Sequence, residues 1–248
     1  MNSTAPNKPV ACTYDPTTRT LQPSVTGSII LGLRYKSGVI LACDTMGSYG
    51  GLRKYKDINR IITVNENCML AASGDVADFI ELERMIEEQV RNDEVCADHG
   101  VEFNAKSLHA FIQTVFYGRR CKQNPFWLTV AVAGFEGKNK EKPFLGVVDS
   151  LGVSWEAPHV TTGFGGMIAG PFLELKTQYG ENCSDNLDRE QALEAVKRGL
   201  SVVNYRDKMT INSWNIGEVS KENGAGLISE KEELPTNWKL AHMIVGYE

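Results

Sequence analysis

Apolar residues are spaced along this chain in two rhythms. Short aliphatic runs at Ile29–Tyr35 and Val39–Cys43 flank Lys36-Ser37-Gly38, and the second run ends on Asp44. The pattern predicts a hairpin of buried strands that delivers a carboxylate to the end of a sheet. A second pair, Arg60–Val64 and Cys68–Ser73, turns through Asn65-Glu66-Asn67 and finishes on Gly74, where a bare backbone N–H can come close to a neighbour. Helical spacing then takes over: Phe79, Leu82, Ile86 and Val90 recur along Asp75–Arg91, with Ser73 or Asp75 as cap and charge on the other face. After a loop at Asn92–Asn104, Leu108, Phe111, Ile112 and Val115 predict a second helix over Ser107–Arg120.

The second half repeats the scheme. Strand runs at Trp127–Ala133, Phe144–Asp149 and Val153–Glu156 are followed by a helix from about Met167 to Tyr179 with Pro171 near its first turn. Asp188-Arg189-Glu190-Gln191 reads as a capping box opening a helix that runs to about Tyr205. Ser213–Val219 and Gly226–Glu230 form a last hairpin through Lys221-Glu222-Asn223-Gly224. Strands such as Ile29–Leu33 are apolar on both faces, so each sheet must be covered twice. The expected fold class is α+β, a four-layer αββα sandwich in one domain over residues 21–248. Residues 1–20, rich in Thr, Pro, Asn and Ser without periodicity, are expected to form a flexible N-terminal segment.

Composition narrows the function. With 248 residues, 42% of them hydrophobic, the chain can bury one large core. A net charge of -5 argues against nucleic acid as the main partner, and no apolar run approaches bilayer-spanning length, so no membrane is expected. Basic clusters at Arg53-Lys54-Lys56 and Arg119-Arg120-Lys122 read as solvated or interface charge. The six cysteines form no CxxC pair and no metal-ligand spacing with the histidines, His109 and His159 included, so neither cofactor nor metal is expected. Reduced thiols point to a cytosolic or nuclear setting.

The block from Thr26 to Gly74, with TTGFG at 161–165 and VNYRD at 203–207, resembles the β subunits of the 20S proteasome, which are N-terminal-nucleophile hydrolases. The resemblance implies that family's αββα fold, and that Gly27 stands at the cleaved glycine and Ser28 at the nucleophile. Asp44 then falls on the buried aspartate, Arg60 on the essential lysine, and Gly74 on the glycine whose N–H forms the oxyanion hole. Phe164 replaces a serine, Asp207 keeps an aspartate, and Thr210 replaces a second serine. Arginine cannot release a proton at accessible pH, so the proton transfer that a lysine amine assists is lost. Asp44 is then expected to form a structural ion pair with Arg60, and Phe164 to fill the empty site.

What the resemblance implies is therefore a chain with no catalytic residue of its own, seated with other α and β subunits in a stacked assembly of four seven-membered rings. It also implies a prosegment trimmed near Arg19-Thr20, a C-terminal tail whose Trp238, Met243 and Tyr247 either contact a neighbour or finish this chain's own core, and residence in cytoplasm and nucleus. Three alternatives stand beside this reading. One is an active protease subunit using Ser28 after cleavage at Gly27, and another is a free-standing amidohydrolase of the same chemistry. The third, an α-type subunit, would need an extra helix pattern before the first strand.

Overall fold

A computed structural model describes residues 23–96, 104–137, 142–177 and 187–239. The first half contains β1 (Thr26–Gly27), β2 (Ile30–Tyr35), β3 (Gly38–Asp44), β4 (Gly47–Tyr49), β5 (Leu52–Tyr55), β6 (Ile61–Asn65) and β7 (Cys68–Asp75). Helices α1 (Val76–Cys96) and α2 (Ala105–Cys121) follow. The second half contains β8 (Leu128–Glu136), β9 (Lys142–Val148), β10 (Ser154–Glu156), β11 (His159–Thr161), α3 (Gly165–Ile168), α4 (Gly170–Thr177), α5 (Arg189–Arg206), β12 (Trp214–Ser220) and β13 (Gly224–Glu232).

β3 shows why the apolar strands demand four layers. It is buried along its whole length and lies at the centre of a five-stranded sheet ordered β11-β2-β3-β12-β13. Side chains alternate across a strand, so Ile40 and Ala42 join the core under α4 and α5, while Val39, Leu41 and Cys43 meet the facing sheet. β7 does the same in the second, eight-stranded sheet, ordered β10-β9-β8-β7-β1-β4-β5 with β6 also on β7. Cys68, Leu70 and Ala72 face α1 and α2, whereas Met69 and Ala71 pack between the sheets. The expected αββα sandwich is therefore the observed fold, though the strand blocks divide between sheets: β3 pairs with β2 and with β12, and neither β2 nor β3 pairs with β6 or β7.

Several boundaries differ from the sequence expectation for local reasons. The helix α2 begins at Ala105 because Asn104, read as the end of a loop, is its cap. Asn104 Oδ1 accepts the Ser107 N–H at 2.8 Å, and Ser107 Oγ accepts the Asn104 N–H at 3.0 Å. Asn104→Ala is expected to cost about 1 kcal/mol. Faster amide exchange over Ala105–Leu108 would show it, and unchanged exchange would contradict the cap. The helix expected over Met167–Tyr179 is two short helices broken at Ala169, with Pro171 early in the second; Tyr179 lies outside the described residues. Asp188 caps α5 as expected, its N–H bonded to Gln191 Oε1 at 3.3 Å.

Buried polar groups tie the layers together. Glu218 on β12 accepts the Tyr35 hydroxyl of β2 and, at 2.8 Å, both Nε and Nη2 of Arg189 on α5. Burial, helped by the Glu218 carboxylate, pushes the Tyr35 hydroxyl well above the ordinary phenol range. His109 is a core residue, with Nε2 3.1 Å from the Val147 carbonyl and its ring edge-on to Phe144. Among the described residues no helix is long and apolar enough to cross a membrane.

Candidate functional site

Ser28 lies half-buried where β1 passes into β2. The residues before it are built into the sheet. Thr26 and Gly27 pair with Asp75 and Gly74 of β7 on one side, and Thr26 pairs with Ser48 of β4 on the other. Among the described residues, this two-residue strand is what links β7 to the β4–β5 hairpin in the strand order. Side bonds reinforce it: Val76 N–H donates to the Val25 carbonyl at 2.9 Å, Ser24 N–H to Asp75 Oδ1 at 3.2 Å, and Ser48 Oγ to the Thr26 carbonyl at 3.1 Å.

Beneath this strand lies the ion pair of Arg60 and Asp44, each almost wholly buried. Arg60 Nη2 binds Asp44 Oδ1 and donates to the Asp44 carbonyl at 2.9 Å and the Ile29 carbonyl at 3.3 Å. Nη1 donates to the Ala72 carbonyl at 3.2 Å. One guanidinium thus joins the ends of β2, β3 and β7, a task suited to a planar fork of donors. Its stem and fork press on Gly27, where a Cβ would overlap Cδ, Nε and Cζ of Arg60. Burial pushes the Asp44 carboxyl up to about 6 even with Arg60 pulling it down. The structural ion pair expected from the sequence is present.

Asp207, the C-cap of α5, brings a second carboxylate to Ser28. Its Oδ2 accepts from Ser28 Oγ at 3.4 Å, long for such a bond, while Oδ1 takes the Met209 N–H at 2.8 Å. Thr210, also buried, donates its hydroxyl to the Asp207 carbonyl at 3.2 Å and so closes the turn after the helix. Ser28, Asp44, Arg60, Asp207 and Thr210 do converge, but in two layers: a hydroxyl and carboxylate above, a buried ion pair below.

One expectation changes. Phe164 does not fill the site, since 59% of its surface is exposed. Gly163, at φ +60°, packs against the Ser28 carbonyl, and α3 follows at once, so the neighbour of Ser28 is backbone rather than a phenyl ring. Gly74 has a structural reason for lacking a side chain: at φ +116°, its Cβ would overlap the Trp127 carbonyl. Thr162, which sequence reasoning left without a role although it stands in TTGFG, brackets the serine. It donates to the Ser28 carbonyl at 3.1 Å and accepts the Ile30 N–H at 2.9 Å.

Chemically, Ser28 would need release from Gly27 before its nitrogen could act as a base, and Arg60 cannot take a proton. Among the described residues no three His, Cys, Asp or Glu side chains are placed to hold a metal. Trp238 is 65% exposed and edge-on to Tyr205, with ring centres 4.9 Å apart. Arg19, Thr20, Met243 and Tyr247 lie outside the described residues.

A family model described as proteasome subunit matches residues 24–219. The chain is 42% identical to the proteasome subunit beta type-4 of Xenopus laevis over 94% of this chain and 92% of the relative. It is 35% identical to the beta type-4 subunit of Arabidopsis thaliana, covering 90% and 86% of the two chains. With the beta type-7 subunit of Saccharomyces cerevisiae it shares 32% identity over 94% and 87%. Fold, motif positions and relatives agree, and this chain belongs to the proteasome subunit family.

Proposed function

We propose that the chain is a non-catalytic, structural β subunit of the 20S proteasome core. It fills one place in a seven-membered β ring, between an α ring and a second β ring, and helps to enclose the chamber of ubiquitin-dependent protein degradation in cytoplasm and nucleus. The observation that carries this reading is the pairing of Thr26-Gly27 between β7 and β4. Cleavage after Gly27 would release Thr26-Gly27, the strand that joins the β4–β5 hairpin to β7. A working nucleophile would need that cut to free its amine. The ion pair below supports the same conclusion, because Arg60 commits Nη1 and Nη2 to three carbonyls and Asp44. Trimming of the prosegment near Arg19-Thr20 is part of the proposal, and it would leave Thr26-Gly27 in the sheet.

N-terminal sequencing and intact mass of the chain from its native particle test the reading. The mature chain is expected to begin upstream of Ser24, to run within a large particle on gel filtration, and to resist an electrophilic proteasome inhibitor. Ser28→Ala is expected to leave the particle's peptidase activity unchanged. A chain that starts at Ser28 and carries the inhibitor would sink the proposal, and a hydrolytically active monomer would sink it equally.

A further inference from the structure

Asp207 also lines an open groove of about 620 Å³ that the reading above leaves without a role. Its charge is one-sided. Arg53, Arg206 and Lys208 line it, and the one carboxylate among its lining residues, Asp207, is engaged with Ser28 and Met209. Arg53 is fixed at the rim by a 3.3 Å bond from Nη1 to the Thr210 carbonyl. Lys208 has neither ion pair nor hydrogen bond among the described residues, and its Nζ lies over Gly51. Such a concentration of cations is local, because the whole chain carries a net charge of -5. Tyr205 and the exposed indole of Trp238 form an aromatic wall, and aromatic anchors beside charge are the composition of an interface centre.

We infer that this groove is a docking site for an extended acidic segment of another subunit of the same particle, an assignment that rests on the structural-subunit reading above. Carboxylates of that segment pair with Lys208 and Arg53, and one apolar residue packs against Trp238. Charge complementarity selects this occupant. The chain's own residues 240–248, AHMIVGYE with the preceding Leu, contain one acidic side chain, Glu248, and so match the groove poorly. Nucleic acid would require a longer basic track than three cations around one aromatic wall.

Zero-length carbodiimide coupling in the purified, assembled particle, read by mass spectrometry, tests the assignment. A bond between Lys208 and an Asp or Glu of a different subunit is expected, together with loss of Lys208 reactivity toward an acetylating reagent. Lys208→Glu should lower the yield of complete particle by about tenfold or more at equal subunit concentration, the size expected of one lost interfacial charge pair, and Lys208→Arg should restore it. Coupling of Lys208 only within its own chain, residues 240–248 included, overturns the inference. So does a Lys208 as reactive in the particle as in the denatured chain, or one protected by bound nucleic acid. If the chain is missing from the particle altogether, it is the structural-subunit reading that has failed, so the two failures are distinguishable.

Discussion

Arg60→Ala is expected to destabilise the fold by about 3–5 kcal/mol, because it strands a buried carboxylate. Asp44 is fully buried and pairs with the Arg60 side chain, and three carbonyls, those of Ile29, Asp44 and Ala72, lose a donor at the same time. The loss should depend on pH in a definite direction. With Arg60 present, the folded-state value of Asp44 is about 6 against an ordinary 3.8, so this carboxyl stabilises the fold most below the lower value and loses that contribution as pH rises through the upper one. Removing the cation raises the folded value further, so the deficit of the variant should be largest at neutral and alkaline pH and shrink on acidification. Replacing the pair together, Arg60→Met with Asp44→Leu, should cost less than either single change, because no unpaired charge is left inside. Urea unfolding of the refolded chain, or its yield in assembled particle, measures all three. A single substitution no worse than the double one would show that the pair is not the unit holding β2, β3 and β7 together.

The legible parts of the molecule are those whose identity resides in their own residues. β3 announces itself because both of its faces are buried and both are apolar, and α1 because Phe79, Leu82 and Ile86 fall on one stripe that meets the sheet. β1 is two residues long, and it is a strand only because β7 and β4 lie on either side of it. β5, Leu52–Tyr55, is exposed throughout and shows no alternation to read. At the site the ion pair was legible through the resemblance, which places Asp44 and Arg60 in one buried site where an arginine beside a carboxylate has little else to do. The fate of Phe164 was not. An aromatic residue defaults to burial in any reading of sequence, yet Arg60 already crowds Gly27 beside Ser28, and nothing in the string of letters encodes that crowding. Thr162 went unassigned because a threonine beside a glycine turn has many ordinary uses, and only the register of β11 on β2 brings its hydroxyl to both sides of the serine.

Gly74→Ala should be comparably damaging, by about 2–6 kcal/mol when a strained backbone and an overpacked contact are added. At φ +116° the backbone lies where residues with a side chain are strained, and the new methyl would run into the Trp127 carbonyl. That carbonyl has no freedom to withdraw, because it accepts the Asp75 N–H at 2.9 Å and leads straight into β8, whose Leu128 is paired with Gly74 itself. Gly27→Ala makes an informative contrast. Its methyl would meet the Arg60 side chain rather than backbone, so its cost comes from displacing the guanidinium from Asp44. Introducing each alanine into the Arg60→Met, Asp44→Leu background separates the two causes. The penalty at position 27 should fall sharply there, since the obstructing fork is gone, while the penalty at position 74 should be unchanged, because the obstructing carbonyl is still in place. Equal relief at both positions would mean that Gly74 is constrained through the buried pair and not through its close approach to β8.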